Sequence, residues 1–251
     1  MRIRTLLAGL SAMALLALPA TPAQAAVPRT AVKCGMVVMQ DANLYLPKDL
    51  YCRDFGVSVL FNNAEGGPTP HVIVDLNGHT LYGSGRGRGV TAFAYPGPAY
   101  LQVLNGRVEN FEIGVGGDND TRISNVKLVG NHTGFFCNGG CWTDQSYFKN
   151  NSVVGMGVGA EAYASVKHST FSGNKEGAFV SGINSLDIQR STFYNNQVAV
   201  HATEARVAVS YSTFGKNGTG VLVTNETGEG CADLHKNKFS GNGKNVVGPT
   251  C

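Results

Sequence analysis

After residue 25 the chain has no long segment with apolar residues spaced three and four apart, as an amphipathic helix would need. It has short alternating runs instead: AFVSG at 178–182, LDI at 186–188, VAV at 207–209 and GVLVT at 220–224. Alternation at period two predicts strands. These runs keep step with a short phrase that appears as QSYFKNN, HSTFSGN, RSTFYNN, YSTFGKN and KNKFSGN. Its phenylalanine falls at Phe148, Phe171, Phe193, Phe214 and Phe239, in steps of 23, 22, 21 and 25 residues. Three residues after each stands an asparagine: Asn151, Asn174, Asn196, Asn217 and Asn242. Two residues before each stands a small polar residue: Ser146, Ser169, Ser191, Ser212 and Asn237. Self-similarity at such a period marks a solenoid. A step of about 22 residues holds three short strands with their corners, one turn of a parallel β-helix. The closely spaced leucines of a leucine-rich repeat are missing.

Coils stacked one strand spacing apart, about 4.8 Å, set equivalent residues directly above one another. The phenylalanines are then expected to form an aromatic stack inside the helix. The asparagines are expected to bond along their own column and to satisfy corner backbone groups that no strand reaches. Leu128 with Asn131 carries the pattern upstream, and Val108 and Leu81 carry it further with looser spacing.

The runs VDLNGHTLYGSGRGRGV (74–90) and LNGRVENFEIGV (104–115) resemble the right-handed parallel β-helix proteins of the pectate-lyase-like (pectin lyase-like) superfamily. CGMVVMQDANLYLPKDLYC (34–52) resembles the opening segment of secreted members of that group. The resemblance covers nearly all of the chain after residue 25. It implies an all-β fold: a single-stranded right-handed parallel β-helix of about eight coils, with an N-terminal cap at 26–60 and a closing segment at 231–251. It also implies an extracellular polysaccharide as partner, bound or chemically altered. Because this fold carries lyases, hydrolases, epimerases and non-catalytic adhesive proteins alike, two functions stay open. One is a polysaccharide-active protein, a polyuronate lyase or epimerase among them. The other is a non-catalytic wall-associated or structural module. The Asp-rich DD and GHG signatures of polygalacturonase-like hydrolases do not occur in the chain.

Composition narrows the setting. Residues 1–25 read as a secretion signal, with Arg2 and Arg4, an apolar stretch from Leu6 to Leu18, and Ala-Gln-Ala at 23–25. That stretch is too short for a stable anchor, so a secreted, monomeric solenoid over 26–251 is expected. Beyond the signal, 18 Lys and Arg face 17 Asp and Glu. Near-neutral charge gives no pointer to nucleic acid, and no later segment is apolar enough to cross a membrane. All six cysteines follow the signal, and an even number in an exported chain predicts disulfides. Six cysteines allow fifteen connectivities. Proximity favours Cys34–Cys52, Cys137–Cys141 and Cys231–Cys251, and CNGGC lacks the paired spacing of a zinc site.

Candidate chemistry falls on the strand that follows each asparagine corner. Its outward positions include Thr91, Phe136, Phe179, His201 and Leu222, with Asn138, Ser181, Thr203 and Thr224 two residues on. An aromatic row beside a polar row, Phe136 and Phe179 foremost, is what a sugar-binding face would present; a mixed solvent face is the alternative. A lyase or epimerase needs a base, a proton donor and a cation to stabilise an enolate, and His201, Tyr163 and Arg206 have the types to fill those roles. A hydrolase needs two facing carboxylates, for which Glu161 and Glu204 come into consideration. Arg86 and Arg88 in GSGRGRG could grip carboxylates of an acidic sugar, or stand as solvated loop residues. No helix follows that glycine run, so it is a wide corner and not a nucleotide loop. Asp118 and Asp120 form an oxygen-rich corner of the kind that holds Ca2+; ordinary Asx corner chemistry accounts for the same residues.

Overall fold

The computed structural model describes residues 27–61, 69–94, 100–118, 120–159, 162–182, 184–228 and 230–251. Residues 1–25, read above as a secretion signal, together with Asn119 and Glu161, lie outside the described residues. The chain winds as a parallel β-helix with three sheets. In one representative coil, Tyr163–Lys167 belongs to the first sheet, Thr170–Ser172 to the second and Glu176–Ser181 to the third. Every pairing between neighbouring coils here is parallel and in register: Tyr163 with Ser185, Phe171 with Phe193, Phe179 with His201.

The interior explains the repeat. Phe148, Phe171, Phe193 and Phe214 are fully buried. Their rings, with Phe239, stack at centroid separations of 4.3, 4.7, 5.0 and 4.8 Å and nearly parallel planes. Upstream the same column is aliphatic: Leu128 pairs with Phe148, Val108 with Leu128, Leu81 with Val108 and Leu50 with Leu81. The last pairing adds a rung below the eight that the repeat makes visible. Nine strands, Leu50–Tyr51 through Lys238–Ser240, thus form the described second sheet.

Two buried polar ladders hold the corners on either side of this column. At the corner after each phenylalanine, Asn174 donates its backbone N–H to Asn196 Oδ1 at 3.0 Å, and its Nδ2 to the same oxygen and to the Phe148 carbonyl at 3.1 Å. One side chain therefore ties three coils together, and Asn131 through Asn217 repeat the arrangement. At the corner before each phenylalanine, Ser169 receives the Ser146 N–H at 3.2 Å and donates to the Lys167 carbonyl at 2.7 Å. Ser191 and Ser212 do the same in their coils. Both ladders answer the requirement that buried backbone groups be paired.

A third interior column consists mostly of glycine, where the chain enters the third sheet. A Cβ at Gly177 would lie 2.4 Å from the Ala199 carbonyl oxygen, and one at Gly155 2.6 Å from that of Gly177. The neighbouring coil approaches too closely there for a side chain at these positions.

Disulfides join Cys34 to Cys52, Cys137 to Cys141 and Cys231 to Cys251. The last holds the C-terminal tail beside the final strand of the first sheet, where Cys251 donates its N–H to the Ala232 carbonyl at 3.0 Å.

Candidate functional site

On the third sheet, Thr91, Gly116, Phe136, Gly157, Phe179, His201 and Leu222 form one continuous column. The alternation of the sequence therefore identifies the column correctly. Thr91, however, is buried at 1% exposure and is no part of an open face. Glycine at alternate positions lets the Phe136 ring lie down over Gly157, where a Cβ would stand 3.3 Å from it. Phe136 and Phe179 are half-buried rather than fully exposed.

His201 meets Phe179 edge-on at 5.2 Å. Its Nδ1 lies 3.0 Å from Glu176 Oε1 and its Nε2 lies 3.3 Å from Thr203 Oγ1, which in turn accepts from Thr224 Oγ1 at 2.9 Å. A carboxylate can only accept, so the His201 Nδ1 is the nitrogen that donates toward Glu176. The sequence does not advertise Glu176, which stands 25 residues away and in a different outward column from His201.

Tyr163 and Arg206 do not join His201. They begin strands of the first sheet in one register column, with only Ser185 between them. Arg206 is exposed and Tyr163 is 48% exposed. Glu204 sits at the bend between the two sheets with φ 53°. Its carboxylate accepts from the Thr227 hydroxyl and from the Glu226 and Thr227 backbone N–H groups. The hydrogen bond from the Thr227 side chain, followed by that from the Glu226 backbone, holds its pKa below the usual carboxylate value. Glu204 is thereby engaged in pinning the 225–228 loop.

Arg88 lies half-buried on the third sheet, paired with Phe55 and Ile113, while Arg86 is exposed on the preceding bend. Gly87 in that bend has φ 65°, and a Cβ there would collide with the Asp54 carbonyl, so the glycine run serves a tight backbone approach. Asp118 accepts from Asn138 Nδ2 at 3.3 Å and Asp120 accepts from Arg122 Nε at 3.2 Å. Among the described residues, no group of three His, Cys, Asp or Glu side chains gathers as a metal ion would require.

A groove that the sequence does not advertise lies on the first sheet. It has a volume of about 360 Å³ and is lined by His71, Ile73, Tyr100, Gln102, Asp120 and Arg122, together with Val72 and Leu101. Consecutive coils supply Ile73, Gln102, Arg122 and Trp142 in one register column. His71 stacks on Tyr100 at 4.4 Å, and Tyr100 keeps 37% of its surface exposed. The Arg122 guanidinium bonds Asp120 and lies 4.7 Å from the Trp142 ring centroid. Trp142 lies across Gly140, where a Cβ would come within 2.3 Å of the indole. Gly140 belongs to the short loop closed by Cys137 and Cys141, so that disulfide fixes the floor under the indole.

A family model described as a right-handed beta helix region matches residues 112–248. Among solved structures, the chain is similar to full-length tailspike protein 2 from Escherichia coli O157:H7 bacteriophage CAB120. Identity is 10%, with 82% of this chain and 35% of that one covered, and the TM-score is 0.43. It is also similar to the enzymatically active domain of bacteriophage CBA120 tailspike protein 2, at 10% identity, 82% and 39% coverage and TM-score 0.37. The chain thus spans little more than a third of those tailspike chains. No curated protein matches it.

Proposed function

The chain belongs to the right-handed β-helix family, and from that premise we propose that it binds a neutral polysaccharide, seated in the groove of the first sheet. The observation that carries this reading is the joint presence, in one groove, of an exposed tyrosine and a paired guanidinium and carboxylate, with an indole against that guanidinium on the next coil. Sugar C–H faces pack on aromatic rings, which bring large apolar area with little flexibility. Sugar hydroxyls both donate and accept, and Asp120 accepts where Arg122 donates. Because Arg122 is already neutralised by Asp120, the groove reads hydroxyls better than charge. Tyr100 and Trp142 stand two coils apart, about 10 Å, which suits contact with more than one ring of a chain.

The proposal is for binding rather than bond cleavage. A base, a proton donor and a cation must converge on one substrate atom, and His201 stands on a different sheet from Tyr163 and Arg206. Export belongs to the same proposal, supported by three disulfides of the kind that persist in oxidising compartments. Trp142 is the single tryptophan of the chain, so its fluorescence reports on the groove. Titration with a panel of neutral polysaccharides is expected to give a saturable change. Tyr100→Ala is expected to weaken the binding by about tenfold. A panel that neither shifts the fluorescence nor slows the protein in affinity electrophoresis would overturn the reading.

A further inference from the structure

The corner between the first and second sheets is left-handed in eight coils. Asn77, Asn105, Asn125, Gln145, His168, Arg190, Tyr211 and Lys236 have φ between 48° and 54°. Asparagine tolerates this region; long, aromatic and cationic side chains do not gain the local hydrogen bonds that ease it. Yet asparagine stops at 125, and the next five corners carry Gln, His, Arg, Tyr and Lys, all exposed. The serine ladder pins the backbone from within, so the turn itself does not call for these side chains. Strained positions of this kind gather where the outside makes use of them.

Charge points the same way. The stretches 145–152, 168–175, 190–197, 211–218 and 236–243 form the second sheet and its corners in the last five coils, and they contain no Asp or Glu. They contain Lys149, Lys175, Arg190, Lys216, Lys236 and Lys238, together with His168. Of the carboxylates closest in sequence, Asp144 pairs with His168 Nδ1 at 2.9 Å and Asp187 with Gln189 Nε2 at 2.9 Å on the first sheet, Glu176 meets His201 at 3.0 Å on the third, and Asp233 is exposed on the first. A near-neutral chain thus carries a one-signed face, and it is the distribution of charge that a ligand meets. Between the corners runs a hydroxyl column of Thr170, Thr192 and Thr213. Tyr194 lies flat across Gly215, where a Cβ would stand 3.2 Å from the ring. Lys216 Nζ is 5.5 Å from the Tyr194 centroid, and Lys236 Nζ is 5.4 Å from that of Tyr211.

We infer that this face of the second sheet binds a linear carboxylated polysaccharide, with Arg190, Lys236 and Lys238 meeting its carboxylates and Tyr194 and Tyr211 its sugar faces. Arg190, Tyr211 and Lys236 occupy successive coils, so the two cations stand about 10 Å apart with an aromatic ring between them. A nucleic-acid strand carries a charge about every 3.4 Å along its duplex axis, far denser than this strip. The site is separate from the groove of the first sheet and does not depend on it.

The test is retention of the protein on immobilised polygalacturonate, a neutral glucan and single-stranded DNA across a sodium chloride gradient. Polygalacturonate is expected to retain it at low salt and to release it as salt screens the contacts. Replacing Arg190, Tyr211 and Lys236 together by Asn should lower that affinity by about tenfold or more, while Tm stays the same or rises. Lys238→Glu, on the strand and away from the strained corner, should show the same loss. Tyr100→Ala should leave this retention unchanged, which separates failure here from failure of the groove. No retention on polygalacturonate at low salt overturns the inference, and so does full retention of both variants. Tighter retention on DNA overturns it in favour of a nucleic-acid surface.

Discussion

The two corners that flank the phenylalanine strand solve one problem by different means. Both must turn the chain sharply while leaving no buried backbone group unpaired. At the corner after the phenylalanine, the amide of Asn174 or Asn196 reaches three coils, and the left-handed residue outside is mostly one that suits the conformation: Asn110, Gly130, Asn150, Gly173, Asn195 and Gly241, with Lys216 the exception. At the corner before it, a serine hydroxyl makes two bonds, and the left-handed residue outside changes from asparagine to bulkier types. The lesson is that a ladder inside can fix the backbone so firmly that the residue outside need not favour the turn. Shape is set from within, which leaves the exterior free to differ from coil to coil.

Phe193 borders both corners, and its loss should have the largest effect. Phe193→Ala is expected to destabilise by about 3–5 kcal/mol, because its stacked neighbours cannot collapse into the gap. Equilibrium denaturation would measure this, and a change near zero would mean that the stack contributes no packing energy. The corners themselves are compared by Asn196→Ala and Ser191→Ala. The first takes the side-chain partner from the Asn174 N–H and the Phe171 carbonyl; the second leaves only the Ser169 N–H unpaired, because the Gln189 carbonyl still accepts from the His168 N–H, and it spans fewer coils. About 3 kcal/mol is expected for Asn196→Ala and about 1–2 for Ser191→Ala. Equal losses would show that the reach of the amide confers nothing extra.

The smallest effect lies at the third bend, which no interior ladder supports in the same way. There the Glu204 carboxylate holds the 225–228 loop from outside, and its pKa is lowered in the folded protein. Its contribution is therefore present at neutral pH and is lost as pH falls below the ordinary carboxylate range through the lowered folded value. The Glu226 and Thr227 amide resonances should shift over that window, and Glu204→Gln should abolish the shift. A shift that persists in Glu204→Gln would assign it to another group.

The same division explains how much of the molecule is legible in its sequence. Inward columns must repeat because each coil packs on the next, so Phe171, Asn174 and Ser169 announce both the fold and their own burial. The glycine column was equally available, since Gly177 and Gly220 follow their phenylalanines by six residues. It is masked by the many other glycines at bends. Outward positions carry no such constraint. The groove and the indole beside it draw His71, Tyr100, Arg122 and Trp142 from four coils with no shared residue type, and only the register brings them together. Tyr163 and Arg206 seemed to share a face with His201 because they are close in the repeat, but the bend at Glu204 divides them.

A stack of parallel in-register strands has no internal reason to stop. Every free edge is a template on which another strand could grow, in the manner of a fibril. Here the tail from Pro249 to Cys251 occupies the last edge of the first sheet, tethered through Cys231. The remaining terminal strands, Lys238–Ser240 and Lys244–Val247, present exposed lysines. In a polymer chemist's language, the closing disulfide is the end group of the stack, with Lys238 and Lys244 standing beside it.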